Sequence, residues 1–381
     1  MSTTLEYRPS VGLGARPEVF PMLEIYADKP VSNPDRISWS RPYAWSTIIP
    51  AVRRQESIEG ALIGCALGES FARLSSSARK RIFGSTQPVD PGRLVPSHRT
   101  EGMLVTVQAV LLSQAMSEQF VASLTQRLRW YQRFQPIACA KYWIGSLVGP
   151  DRFGARLGDD PLMRALVLSV IMQGHHDGAL DWIQESTQIS YANRWVTQAS
   201  FLVATATQIA QFQRTAHQAS VSGLLEDLKA ATGSKEIENR IDALIDAKSK
   251  NQSVLQASKI LSGKDRWQDH LVDNALLAIY GYVRYPDRIE EGLRDLSQLH
   301  GDLRGVMPIY AALATVHSSV GKIPSRWVER LSLYPYSNQW VQQYVDRCAD
   351  WPHGPEDIQA TRCLPSHLTG QWIRNLLRGF S

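Results

Sequence analysis

From about residue 57 to residue 333 apolar side chains recur at helical spacing, and no stretch alternates convincingly with the two-residue period of a strand. That restriction removes most fold classes at once. In residues 103–116, 161–172, 191–213, 237–247, 272–284, 287–299 and 306–320 the apolar positions stand at i, i+3, i+4 and i+7, which lines them along one stripe of an α-helix. Gly and Pro mark the joins, at Gly149-Pro150, Gly174, Thr232-Gly233, Tyr285-Pro286 and Ile323-Pro324. The pattern predicts an all-α fold, a compact single-domain bundle of about a dozen helices without a repeat of fixed period. Ser57 is placed to cap a first helix in which Gly60, Gly64 and Gly68 recur every four positions, leaving one face bare enough for another backbone to approach closely.

Three zones follow: an extended N-terminal arm over residues 1–50, a helical domain over 51–333 and a C-terminal extension over 334–381. The arm holds seven of the 20 prolines, which remove backbone donors and favour extended or turn conformations. It also carries Tyr7, Phe20, Tyr26, Trp39, Tyr43 and Trp45, too aromatic a set for a solvated tail, so it is expected to pack on the body or on a partner. The extension repeats that composition, and residues 367–378 have the pattern of a short terminal helix. Residues 1–50 and 335–381 are therefore the candidate surfaces for a protein partner.

With 381 residues, 44% hydrophobic and 20% charged, the chain can bury one large core and is neither collagen-like nor wholly disordered. Apolar runs such as residues 275–280 fall far short of the roughly 20 residues a membrane helix needs. The first 21 residues mix Glu6, Arg8, Arg16 and Glu18 among prolines, unlike a secretory signal, and the expected location is cytoplasmic. Cys65, Cys139, Cys348 and Cys363 form no Cys-x-x-Cys pair and read as buried thiols. Residues 51–150 carry twelve Lys or Arg against six Asp or Glu, a bias that attracts phosphate or acidic groups. The densest cluster, Arg79-Lys80-Arg81, lacks the interleaved aromatics of a single-strand binder, which argues against nucleic acid.

Three segments carry candidate chemistry. The glycine-studded helix Gly60 to Glu69 ends at an acid. Thr100 and Glu101 open an apolar helix and are also candidate capping residues. A loop with His300, Asp302 and Arg304 precedes another apolar helix.

Together, and in this order, these segments resemble the ADP-ribosylglycohydrolase family. Its first helix reads Gly-x-Leu-x-Gly-x-Ala-x-Gly-Asp, which Gly60 to Glu69 follows with Glu last. Its Thr-Asp-Asp-Thr signature corresponds to Thr100-Glu101-Gly102-Met103, and its Gly-Asn-Gly-x-x-Met-Arg turn to Gly158 through Asp159, Met163 and Arg164. Its Gly-Gly-Asp-Thr-Asp-Thr cluster corresponds to His300-Gly301-Asp302-Leu303-Arg304-Gly305, and its Ile-Pro-x-x-Trp close to Ile323-Pro324 with Trp327. The resemblance covers residues 57–333 and implies an all-α fold. It also implies two magnesium ions between the two acidic clusters, which orient the ribose of an ADP-ribosylated side chain while its glycosidic bond is hydrolysed.

Here the acids are depleted. Thr100, Glu101 and Asp302 keep metal-ligand positions, but Gly102 and Arg304 replace the second acid of each cluster. Two adjacent dications need several hard oxygen ligands. Two unit charges about 4 Å apart interact by roughly 4 kcal/mol at an effective dielectric near 20, so Arg304 would repel an ion it no longer ligates. The expected cofactor is none, or one weakly held Mg²⁺.

Two readings remain. In one the chain is a catalytically impaired member, a pseudoenzyme that binds ADP-ribose or a nucleotide in the cleft, or a protein partner. Thr100, Asp159, Arg164, His300 and Arg304 are then its ligand-binding candidates, with the Arg304 guanidinium expected either to pair with Asp302 or Glu101 or to grip a phosphate. In the other it is an ADP-ribosyl hydrolase using one metal or none, with Glu69, Glu101 and Asp302 as catalytic candidates and Asp159 and Asp160 as spare acids. Glu69 also reads as a structural acceptor at a helix end, His300 as a residue that narrows the cleft, and Gly174-His175-His176-Asp177 as a polar interhelical turn.

Overall fold

The computed structural model describes residues 39, 49–85, 89–96, 98–113, 115–133, 160–174, 178–190, 193–215, 221, 223–261, 270–299, 303–333, 338–349 and 351. Two compact units divide the chain, Met1–Ile37 and Ser38–Ser381. The first lies outside the described residues, and all that follows belongs to the second. Among the described residues the regular structure is helical, fifteen α-helices and one 3₁₀ turn, with two isolated β-bridges, Trp39 to Thr232 and Leu94 to Leu331.

The spine is α1 (Ala51–Arg73), followed by α2 (Ser76–Gly84), α3 (His98–Leu112), α4 (Ser117–Arg133), α5 (Asp160–Ile171), α6 (Ala179–Gln188) and α7 (Arg194–Thr215). A smaller group comes next: α8 (Leu224–Ala231), α9 (Lys235–Ser249), α10 (Val254–Leu261), α11 (His270–Arg284) and α12 (Ile289–Leu296). Then come α13 (Leu303–Ser318), α14 (Ser325–Arg330) and α15 (Asn338–Ala349).

The bare glycine face of α1 meets α13. A Cβ on Gly60 would sit 2.8 Å from the Thr315 carbonyl oxygen, one on Gly64 2.4 Å from that of Ala311, and one on Gly68 2.4 Å from that of Met307. The partners descend as the glycines ascend, so the two helices run antiparallel in backbone contact. No other residue fits, because real Cβ atoms do not come so close.

Around this pair the core is filled by helices that are apolar on every side. All residues of α5 from Pro161 to Ile171 are buried, as are those of α13 from Gly305 to His317; a helix surrounded by others has no polar face to show. α5 packs on α7, and α11 on α13 and α7. At one end Arg214 of α7 pairs with Glu56 of α1 and donates to the Val316 carbonyl of α13 at 3.4 Å, joining three helix ends. Outer helices are amphipathic instead: α12 buries Ile289, Leu293 and Leu296 and begins with Glu290 and Glu291, acids that suit the positive end of the helix dipole.

The described parts of both flanking zones lie on the body. Trp39 donates from its indole nitrogen to Thr205 Oγ1 at 3.2 Å, with its ring 5.5 Å from Phe201, and Ile49 is buried. After α15, Arg54 of α1 donates to the carbonyls of Ala349 and Trp351 at 3.2 and 2.8 Å. These bonds satisfy carbonyls that α15 leaves open at its end. Trp351 meets Trp182 edge-on at 5.9 Å. The expected helix over 367–378 lies outside the described residues.

Several helices begin or end elsewhere than periodicity predicts. The helix expected from residue 103 starts at His98, because its first turn is held by an acid from another helix. The one expected over 287–299 shortens to Ile289–Leu296. Cys65 and Cys348 are free and buried, and burial pushes both thiols well above their usual range. Among the described residues no helix is long and apolar enough to cross a membrane.

Candidate functional site

One turn after the glycine stripe begins to press on α13, the adjacent face of α1 carries Cys65 and Glu69. They are four residues apart and one position beyond Gly64 and Gly68, which rotates them about 100° around the helix. That face gathers the N-terminal ends of other helices.

The first is α3. The Glu69 carboxylate accepts from the Arg99 backbone N–H at 3.2 Å on one oxygen, and from the Thr100 N–H at 3.1 Å and the Thr100 hydroxyl at 2.6 Å on the other. Arg99 also brings its guanidinium to 3.9 Å from the same carboxylate. Orphan N–H groups of a first helical turn need an acceptor, and an anion there also meets the positive end of the dipole. Glu69 supplies both, and it is 1% exposed. Thr100 and Glu101 were expected as caps; instead they lie inside the first turn and receive their cap from α1.

The second is α5. Cys65 Sγ lies 3.6 Å from Met163 Sδ and 3.7 Å from the Thr100 hydroxyl. Its thiol is pushed up first by burial and then by the charge of Glu69, with smaller effects from Arg99 and Asp160. Asp160 opens α5, so that end reaches the same place. Such a thiol stays protonated and is no nucleophile.

The third is α13. Contact between Gly68 and the backbone of Met307 and Pro308 brings its first two turns beside the end of α1. Leu303 is buried and Arg304 exposed. Three helix N-termini therefore converge on Cys65 to Glu69, each carrying about half a positive charge.

The expected site residues divide as follows. Glu69 and Thr100 are brought into direct contact, and Glu101 follows Thr100 in the same buried turn. Arg304 stands at the start of α13. Arg164 is 1% exposed and donates to the Ser186 carbonyl at 2.7 Å and to Ser190 Oγ at 2.8 Å, tying α5 to α6. Asp159, His300, Asp302 and the His175-His176-Asp177 segment lie outside the described residues. Arg99 and Met163 join the site although the sequence assigned neither a role. Met163 was matched only as part of the Gly-Asn-Gly-x-x-Met-Arg turn, and Arg99 directly precedes Thr100.

Gly102 differs from the glycines of α1. It is buried, yet a Cβ there would meet nothing within 4 Å. The first turn of α3 therefore faces a recess where a side chain could stand. Among the described residues no three His, Cys, Asp or Glu side chains are grouped to hold a metal ion.

The family model described as ADP-ribosylglycohydrolase matches residues 50–356, a span from α1 through α15. Sixteen chains of solved structures match. One belongs to an "ADP-ribosylglycohydrolase-related protein complex", with 19% identity and a TM-score of 0.45, covering 78% of this chain and 97% of that one. Among curated proteins none matches.

Proposed function

The chain belongs to the ADP-ribosylglycohydrolase family, and from that premise we propose that it binds an ADP-ribosyl or nucleotide diphosphate group at the gathered helix ends without hydrolysing it. The observation that carries this reading is the commitment of Glu69. Both of its oxygens already accept hydrogen bonds from α3, which supports a role as the clamp of that turn over a role as general base.

The magnesium pair implied by the resemblance does not fit the residues present. Two adjacent Mg²⁺ ions need several carboxylates in near-octahedral array. Of the groups at the described helix ends, Glu69 is engaged by α3, Gly102 has no side chain and Arg304 is a cation, which leaves fewer carboxylates than a pair of ions needs. Among the described residues Glu101 is the one acid that keeps a position of the two acidic clusters. No step of the proposed action passes through a metal.

What these residues can do is hold an anion. Helix N-termini present N–H groups and positive potential to phosphate, and an arginine binds it bidentately while staying charged at any working pH. Arg304, exposed at the first turn of α13, is assigned that contact. Glu69 acts through α3 as a positioning residue, fixing Thr100 and Glu101. The competing reading, in which the flanking zones recruit a protein partner, has less support. Trp39, Ile49 and the buried face of α15, with Val341, Tyr344, Val345 and Cys348, are spent on the chain's own body.

Calorimetric titration of the full chain with ADP-ribose, with Mg²⁺ and then with EDTA, tests the proposal alongside an assay for ADP-ribose released from modified arginine and serine peptides. The expected result is saturable binding that survives EDTA, is lost in Arg304→Ala, and is accompanied by no release. Release of ADP-ribose, or binding that requires Mg²⁺, overturns it.

A further inference from the structure

We infer that Gly102 and Arg304 are the two positions that keep divalent cations out of this site, and that the frame around them would still hold one. The inference rests on the metal-free reading above and names the residues responsible for it.

Gly102 has no structural reason to be glycine. Gly60, Gly64 and Gly68 are required because a Cβ on any of them would strike backbone at 2.4–2.8 Å. At Gly102 nothing stands within 4 Å, and its φ is not in the left-handed region. Glycine within a helix is unfavourable relative to alanine, and here no packing or conformational gain offsets that cost. What the residue does provide is a recess without a ligand at the first turn of α3. A carboxylate placed there would enter that recess beside Glu101 and Thr100 without displacing backbone.

Arg304 acts by charge. It stands in the first turn of α13, which the contact of Gly68 with Met307 and Pro308 holds against the end of α1. Because its side chain is exposed, replacing it breaks no buried packing. An aspartate there would change the local charge by two units and turn a repelling group into a hard oxygen ligand. The surrounding scaffold needs no change. The Glu69 bonds that orient α3 involve neither position, and Thr100 and Glu101 are already in place.

The test is calorimetric titration with Mg²⁺ alone of four full-length proteins: wild type, Gly102→Asp, Arg304→Asp and the double variant, with thermal melts to establish folding. The expected result is no saturable binding by wild type and a gain of at least about tenfold in the double variant over either single one, with a Mg²⁺-dependent rise in its Tm. Because two added carboxylates beside Glu101 repel one another until metal binds, Gly102→Asn/Arg304→Asp serves as a second variant. Its amide oxygen is also a hard ligand, and the same gain in smaller measure is expected. Either a folded double variant that binds Mg²⁺ no better than wild type, or a wild-type chain that already binds it saturably, overturns the inference. The binding reading fails on different data, namely ADP-ribose released by the wild-type chain.

Discussion

Glu69 offers the sharpest distinction between a clamp and a catalyst, because the two roles predict opposite balances of stability and activity. In Glu69→Ala the N–H groups of Arg99 and Thr100 and the Thr100 hydroxyl lose their acceptor, in a turn where Thr100 and Glu101 are each 1% exposed. Hydrogen bonds to a charged group contribute about 1.5–3 kcal/mol each and are not additive, and buried donors left unpaired cost a similar amount, so the loss is about 4 kcal/mol. At roughly 2–4 °C per kcal/mol for a domain of this size or slightly smaller, Tm should fall by about 10 °C. Glu69→Gln keeps the shape and one acceptor oxygen but gives up the charge that faces Arg99 and the dipole of α3, and should lose about half as much.

Thermal melts followed by circular dichroism measure both variants, and calorimetry with ADP-ribose measures what the displaced turn does to binding. A positioning role couples the two: the variant that loses more stability also loses more affinity. If Glu69→Ala melts within about 2 °C of wild type, the three hydrogen bonds do not hold α3, and the reasoning is refuted. If Glu69→Gln keeps its stability yet abolishes a measurable release of ADP-ribose, Glu69 is a catalytic acid instead.

Two glycines should respond with opposite sign. Gly68→Ala, whose Cβ would meet Met307 and Pro308 backbone at 2.4–2.7 Å, should lower Tm through about 1–3 kcal/mol of overpacking. Gly102→Ala, which meets nothing, should raise stability by about 0.5–1 kcal/mol in the same melts. Burial holds the His317 imidazole below its usual pKa, against the opposing pull of Asp287, 3.6 Å away. The unfolded chain therefore takes up the proton first, so His317 adds stability that is full above about pH 6.5 and is lost as pH falls toward its folded pKa. His317→Gln should shrink the difference in urea stability between pH 7.5 and 5.5 by removing that contribution; an unchanged difference would contradict the assignment. Arg54→Ala, deprived of its bonds to Ala349 and Trp351, should loosen α15, and limited proteolysis should then cut near residues 338–351 sooner than in wild type.

What could be read from the sequence was whatever depends on near neighbours in the chain. The glycine stripe of α1 is a spacing of four, and its consequence, close approach of another backbone, needs no knowledge of the partner. The buried stripes of α5, α11 and α13 are equally local, because apolar period alone sets them. The start of α3 was misjudged by five residues because Glu69, thirty positions earlier, decides it. α4 was not singled out because its buried apolar anchors are sparse, chiefly Phe120 and Leu124. Arg164 could be read as a helix anchor, but its partners, Ser186 in α6 and Ser190 in the turn that follows, are brought to it by packing the sequence does not announce. Spacing revealed which residue types were missing from the acidic clusters; only three dimensions revealed that Gly102 faces an open recess while Glu69 of α1 is spent on capping α3.

The glycine stripe also accounts for why a site can exist at this end of the bundle. Helix axes normally pack 8–10 Å apart, and each glycine in contact with α13 removes the side chains that would enforce that distance. Gly68 is the last of the three and touches the second turn of α13, so it sets how near the start of α13 comes to α1. Glu69 follows it directly and sets where α3 begins. A single peptide unit of α1 thus fixes the first turns of both helices that carry the family's acidic positions. Changes at Gly102 and Arg304 can therefore alter the site's chemistry without disturbing its geometry. The same dependence is consistent with the fold persisting when the acids are lost, since the described contacts that hold α3 and α13 against α1 run through Glu69 and Gly68 and not through the substituted positions.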